Sequence, residues 1–189
     1  MTKDFILASG SVHRKGLLEQ IGYIPKLIAP ADIDESERKG EKPSAYVKRM
    51  ALEKGLAAAA QHPGEVILAC DTVVTIGTRI FHKARSEAEQ AEVMKALSGK
   101  TNRVLSAVCV VDRSGKASVK LNQTKVMMKR LSDDEIRDYV ASKEWVGCSG
   151  YKIDGILGAF VYKMVGSYSG VVGLPLYETR NLLISAGVK

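Results

Sequence analysis

The chain has 189 residues, 46% of them hydrophobic, and carries a net charge of +7 from 28 Lys and Arg against 21 Asp and Glu; this is enough for one domain with its own core and too apolar for a disordered chain. Three cysteines (Cys70, Cys109, Cys148), odd in number and with no C-x-x-C pair, exclude a disulfide framework and a zinc ribbon and fit a reducing cytosol. The opening FILA run is too short for a signal-peptide core and no stretch approaches the ~20 apolar residues of a membrane span, so the expectation is a cytoplasmic chain without a membrane.

Phe5 to Ala8 is a short apolar run, followed at once by Ser9-Gly10-Ser11 and by a segment with Leu17, Leu18 and Ile21 on one helical face, which predicts strand, tight turn and helix. Tyr23 to Ile28 predicts a second strand, ending in a polar loop that contains Asp32, Asp34 and Glu35. From Pro43, a residue suited to a first helical position, the spacing of Tyr46, Val47, Met50 and Ala51 and the alanines up to Ala60 predict a long helix, closed by His62-Pro63-Gly64. Val66 to Ile76 (VILACDTVVTI) is continuously apolar and β-branched apart from Asp71 and the threonines, as in a central strand buried on both faces. Ser86 with Glu89 forms a capping-box pattern before a helix that Gly99 stops. Val104 to Val111 and Val119 to Met128, separated by Asp112-Arg113-Ser114-Gly115, predict a β-hairpin. Ser132 and Glu135 repeat the capping box, Ile156 to Val165 predicts a strand, and Pro175 to Ala186 a last amphipathic helix. Strands and helices mix along the whole chain without repeats or linkers, so residues 1–189 form a single α/β domain with a mixed sheet flanked by helices.

Two places in this pattern carry chemistry. The turn Ser9-Gly10-Ser11 lies between a strand and a helix and is followed by Arg14 and Lys15; helix-start amides, hydroxyls and basic side chains are what a phosphate needs, although the same residues also suit a plain serine N-cap. It is not a P-loop, because G-x-x-x-x-G-K is absent. Asp71 is a carboxylate in the most apolar stretch of the chain, and a charge there must be paired, protonated, bound to metal or placed at an exposed strand end. Asp32, Asp34 and Glu35 fit a turn with surface charge, and together with Asp71 they also suit Mg²⁺, a cation that prefers oxygen ligands. Lys54 interrupts the apolar side of the long helix, and Lys83 follows Asp71 by a dozen residues. His13, His62 and His82 lack metal-ligand spacing, and no nucleophile elbow is present.

Taken in order, LASGSVHRKGLLEQIG, APADIDE, YVKRMALEKG, DTVV, HKA, LSGKTNRV, LSDDEIRDYV and GSYSGVVGLPLYET resemble the Maf family over nearly the whole chain. The resemblance implies an elongated α/β fold related to the inosine-triphosphate pyrophosphatases, a cleft beside the central sheet, a homodimer, and hydrolysis of a nucleoside triphosphate to monophosphate and pyrophosphate with Mg²⁺, Mn²⁺ or Co²⁺. It places the catalytic aspartate on Asp71, also a metal ligand; a second metal or water ligand on Glu35; and triphosphate contacts on Ser9, Arg14, Lys54 and Lys83. His13, Thr72 and Asp154 fall on positions linked to base selection. Modified or non-standard nucleotides are among the substrates it implies.

Two segments depart from the family pattern. The family turn is commonly S-P-R-R, and here it reads Ser11-Val12-His13-Arg14. A late Lys-Ala-Gly stretch followed by Tyr and Ile-Gln-Gly is replaced by Cys148 to Gly155, with one residue fewer and Asp154 in place of Gln. An ionised Asp accepts hydrogen bonds and donates none, so Asp154 in a base pocket predicts a preference for guanine- or cytosine-type edges over thymine and uracil; the other reading puts it on the surface. The alternative function is a nucleotide-binding regulator of cell division or septum formation with little catalysis. Specific nucleic-acid binding is not expected, because no stripe of interleaved aromatic and basic residues accompanies the positive charge.

Overall fold

The computed structural model describes residues 2–189. Among them a seven-stranded mixed sheet runs in the order β2 (Ile24–Ile28), β1 (Thr2–Leu7), β3 (Ile67–Ile76), β5 (Thr101–Val111), β6 (Ala117–Met128) and β7 (Val161–Val165), with β4 (Arg79–Phe81) paired to the end of β3. β1 is parallel to β2 and β3, and the remaining pairs are antiparallel. The expected central strand is therefore central, and the β5–β6 hairpin turns through Gly115 with φ 85°.

Alternation along β3 divides the core. Ile67, Ala69 and Val73 pack with Tyr46, Val47, Met50 and Ala51 of α2 (Pro43–Gln61) on one face of the sheet. Val66, Leu68 and Cys70 join Leu17 and Leu18 of α1 (Val12–Gln20) and Leu182 and Leu183 of α6 (Leu176–Ser185) in a separate cluster. A third cluster, at the C-terminal half of β3, gathers Val74, Val104, Val126, Trp145 and Tyr151 under α3 (Glu87–Leu97) and α4 (Asp133–Ala141). The cleft lies between the first and third of these masses, alongside Asp71 to Val74 of β3.

Local signals held unevenly. Ser132 and Glu135 close both halves of the capping box on α4. At α3 the Ser86 hydroxyl accepts from the Glu89 amide at 3.2 Å, but the Glu89 carboxylate turns to the Arg85 amide at 2.7 Å, so only half of that box forms. The strand expected over residues 156–165 is shorter. Ile156–Phe160 is a 3-10 turn, because Glu144 accepts from the Ile156 amide at 2.8 Å and Gly158 closes back on the Gly155 carbonyl at 3.0 Å. The short α5 (Tyr168–Val172) and strand β4 were not expected.

Candidate functional site

A cleft of about 1130 Å³ runs from the end of β1 across the middle of β3 and is lined by the nine residues the family resemblance marked, Ser9, His13, Arg14, Glu35, Lys54, Asp71, Thr72, Lys83 and Asp154, while Asp32 and Asp34, the other two acidic candidates for Mg²⁺, are not part of its lining. One wall begins where β1 ends. Ser9 is buried, and its Oγ accepts from the Ser11 amide at 3.3 Å and from Arg14 Nη1 at 2.9 Å. The Arg14 Nε donates to the Gly173 carbonyl at 2.9 Å, so the guanidinium is fixed at two points. Ser11 occupies the N-cap position of α1 without making a side-chain cap bond. The plain N-cap reading of this turn is set aside, and the first-turn amides remain to serve an anion.

The floor is built by α2 lying close on β3. A Cβ on Gly55 would sit 3.1 Å from Cys109 Sγ and 3.3 Å from Val111 Cγ2, so glycine allows the helix its close approach beside Lys54. The Lys54 ammonium then reaches Asp71 Oδ1 at 2.7 Å and Glu35 Oε1 at 2.8 Å. Asp71 is 8% exposed and lies in mid-strand. The strand-end explanation of its charge is thereby corrected: it is paired. Burial alone would lower the Lys54 pKa, yet Asp71 and Glu35 overcome that and hold it above the ordinary value. For Glu35, burial acts upward and is outweighed by the Lys54 hydrogen bond and by the positive charges of Lys54, Lys83 and Arg14, leaving its pKa lowered.

The opposite wall comes from the loop after β4 and from residues 148–155. A backbone bridge joins Lys83 to Ser149, and Gly150, at φ 71°, lies so close to β3 that a Cβ would be 2.8 Å from Val74. This segment carries Asp154, whose Oδ2 is 3.4 Å from His13 Nδ1. The two departures from the family pattern therefore meet on the cleft lining, and Asp154 is at once exposed and in contact with His13. Thr72 points to the other side of β3 from Asp71. Its Oγ1 lies 2.9 Å from Ser106 Oγ and 3.3 Å from the Gly173 carbonyl. Ser106 in turn donates to the Gly170 carbonyl at 2.6 Å.

Four further groups brace the site, none of them assigned a role there from the sequence. Tyr46, read as core, donates its hydroxyl to the Glu35 carbonyl at 2.8 Å. His82 contacts Glu37 at 2.6 Å. Ser106 resembled any small residue of a buried strand. The Gly173 carbonyl is a backbone group and leaves no side-chain signature.

Among the described residues no group of three or more His, Cys, Asp or Glu side chains is arranged around a single point. Two hard anionic oxygen donors, Asp71 and Glu35, do converge on one cationic group, the Lys54 ammonium. That donor set fits a divalent cation of the Mg²⁺ type, which takes one or two carboxylates and completes its shell with water and substrate phosphates.

The family described as Maf-like protein matches residues 4–186. A dTTP/UTP pyrophosphatase of Zymomonas mobilis subsp. mobilis is 48% identical over 188 residues, covering 99% of this chain and 93% of its own. One from Caulobacter vibrioides is 46% identical over 185 residues, covering 97% and 96%. A HAM1 protein structure from Coxiella burnetii is similar over 67% of the chain at 18% identity and a TM-score of 0.48.

Proposed function

The chain belongs to the Maf-like protein family, and from that premise we propose that it hydrolyses thymidine and uridine triphosphates, and modified relatives of them, to monophosphate and pyrophosphate in this cleft. The observation that carries the reading is the convergence of Asp71, Glu35 and Lys54 on one point of a cleft that also holds Ser9, Arg14 and Lys83. Hydrolysis of a phosphoanhydride asks a protein chiefly for positioning and charge neutralisation.

Arg14, Ser9 and the first amides of α1 hold one end of the triphosphate, and Lys54 and Lys83 neutralise the other. Lys54 engages Asp71 Oδ1, and the second carboxylate oxygen takes the proton from the attacking water. Asp71 and Glu35 would hold a divalent cation, which would supply further neutralisation of the charge on the phosphates. Water attacks the α-phosphorus, the bond to the bridging oxygen breaks, and pyrophosphate leaves with that oxygen.

The thymine and uracil preference rests on the relatives' names at nearly half identity. The acceptor-only argument from Asp154 pointed the other way. Against it stands the 3.4 Å approach of Asp154 Oδ2 to His13 Nδ1, which gives the carboxylate a neighbour within the protein. The test is pyrophosphate release from dTTP, UTP, CTP, GTP, a methylated guanosine triphosphate and modified pyrimidine triphosphates, with Mg²⁺, Mn²⁺ or Co²⁺. Release without monophosphate, or none from any nucleotide with any metal, overturns the enzyme reading. Preference for GTP or CTP overturns only the base assignment. No helix among the described residues is long and apolar enough to cross a membrane.

A further inference from the structure

Glu35 lies in an irregular loop between β2 and α2, and its side chain is 50% exposed, so little of its own packing fixes it. What fixes its backbone is α2. The Tyr46 hydroxyl donates to the Glu35 carbonyl at 2.8 Å, and Arg49 Nη2 donates to the next carbonyl, Ser36, at 2.9 Å. The same guanidinium grips Glu41, nearer the base of the loop, through Nε at 2.8 Å and Nη2 at 2.6 Å, and reaches Glu53 through Nη1 at 3.3 Å. This pair is largely enclosed, with Arg49 12% and Glu41 10% exposed. Arg38, also in the loop, donates to Glu41 through its amide at 3.2 Å and to Glu53 through Nη2 at 3.0 Å. Arg49 is not among the residues that line the cleft.

We propose that Arg49 is the positioning residue of the acidic loop: its planar fork ties Ser36 and Glu41 to the helix that also carries Lys54, and so places the Glu35 carboxylate opposite Asp71. The inference rests on the reading of Glu35 as a metal ligand. A guanidinium suits this task and an ammonium does not, because two parallel bonds to Glu41 and a third to a carbonyl require a fixed fork. Groups that orient a metal ligand from outside typically change metal affinity by ~10–100-fold when lost.

The test is Mn²⁺ binding to the nucleotide-free protein, followed by electron paramagnetic resonance, alongside the Mn²⁺ dependence of pyrophosphate release and the melting temperature. Arg49→Lys is expected to raise the Mn²⁺ Kd about tenfold, while kcat at saturating Mn²⁺ stays within about twofold of wild type. Added to Glu35→Gln, it should raise the Kd no further. If Arg49→Lys does not fold, Glu41→Gln loosens the same clamp and is expected to raise the Kd in the same direction. An unchanged Mn²⁺ Kd with a lowered melting temperature would make Arg49 merely structural and overturn the proposal. If Glu35→Gln itself leaves Mn²⁺ binding unchanged, the ligand assignment falls and this inference with it; if Glu35→Gln weakens binding and the clamp variants do not, only this inference falls.

Discussion

Replacing Lys54 with Met keeps the length and apolar stem of the side chain but removes the ammonium that faces Asp71 and Glu35 at 2.7 and 2.8 Å. Asp71, 8% exposed, is then left without its partner. Removing one partner of a buried ion pair costs ~3–5 kcal/mol. A position on a cleft wall, where water reaches one side, puts the expectation at the lower end, ~3 kcal/mol, or a fall in Tm of roughly 6–12 °C for a chain of this size. Mn²⁺ should raise the Tm of the variant more than that of the wild type, since two carboxylates relieved of an ammonium gain affinity for a cation. Catalytic efficiency should fall ~10–100-fold on every nucleotide alike, because a charge-assisted phosphate contact is worth ~1.5–3 kcal/mol and does not sense the base. Thermal melting with and without Mn²⁺, and kcat/KM on dTTP and CTP, check both parts. A variant with wild-type Tm and kcat/KM, or one altered only in base preference, refutes the reasoning.

Other outcomes follow from the same geometry. Arg14→Lys keeps the charge but cannot hold both Ser9 and the Gly173 carbonyl, so KM for dTTP should rise about tenfold with a smaller change in kcat, checked by steady-state kinetics. Gly55→Ala places a methyl 3.1 Å from Cys109 Sγ and moves α2 outward; about 1–2 kcal/mol of stability and a larger share of activity should be lost, read by urea unfolding and pyrophosphate release. The Glu41 pKa is depressed from 4.5 to about 2, chiefly by its hydrogen bonds from Arg49. A carboxylate lowered in this way contributes stability above its unfolded pKa and loses it as pH falls through the folded one. Protection factors of amides in the 33–42 loop, corrected for the intrinsic exchange rate at each pH, should therefore fall between pH 4.5 and about 2, and Glu41→Gln should abolish that acid-dependent step.

The parts of the site legible in the sequence are those where a residue contradicts its surroundings. Asp71 stands out because a charge in VILACDTVVTI needs a partner, and Lys54 because it breaks an apolar helical face; the structure pairs the two. The Ser9 turn was visible because glycine and two serines separate an apolar run from a helix. Residues that agree with their surroundings stayed hidden. Tyr46 and Arg49 fit an ordinary amphipathic helix, and only the path of the preceding loop shows that they hold it. The Gly173 carbonyl that fixes Arg14 belongs to a segment rich in Gly and Ser, where no periodicity marks the short α5. At residues 156–160 an apolar composition suggested a strand, but Gly155, Gly158 and the Glu144 carboxylate made a 3-10 turn more favourable.

On the proposed reading, this cleft cuts a nucleoside triphosphate between its first and second phosphates with Asp71 as the base. Product analysis of dTTP incubated with Mn²⁺ decides this, with the wild type beside Asp71→Asn, the variant shown by circular dichroism to be folded at the assay temperature. The wild type is expected to give dTMP and pyrophosphate in equal amounts, and the variant at least a 100-fold loss of turnover, of order ~3 kcal/mol. Release of dTDP and phosphate, or wild-type turnover by Asp71→Asn, would contradict it.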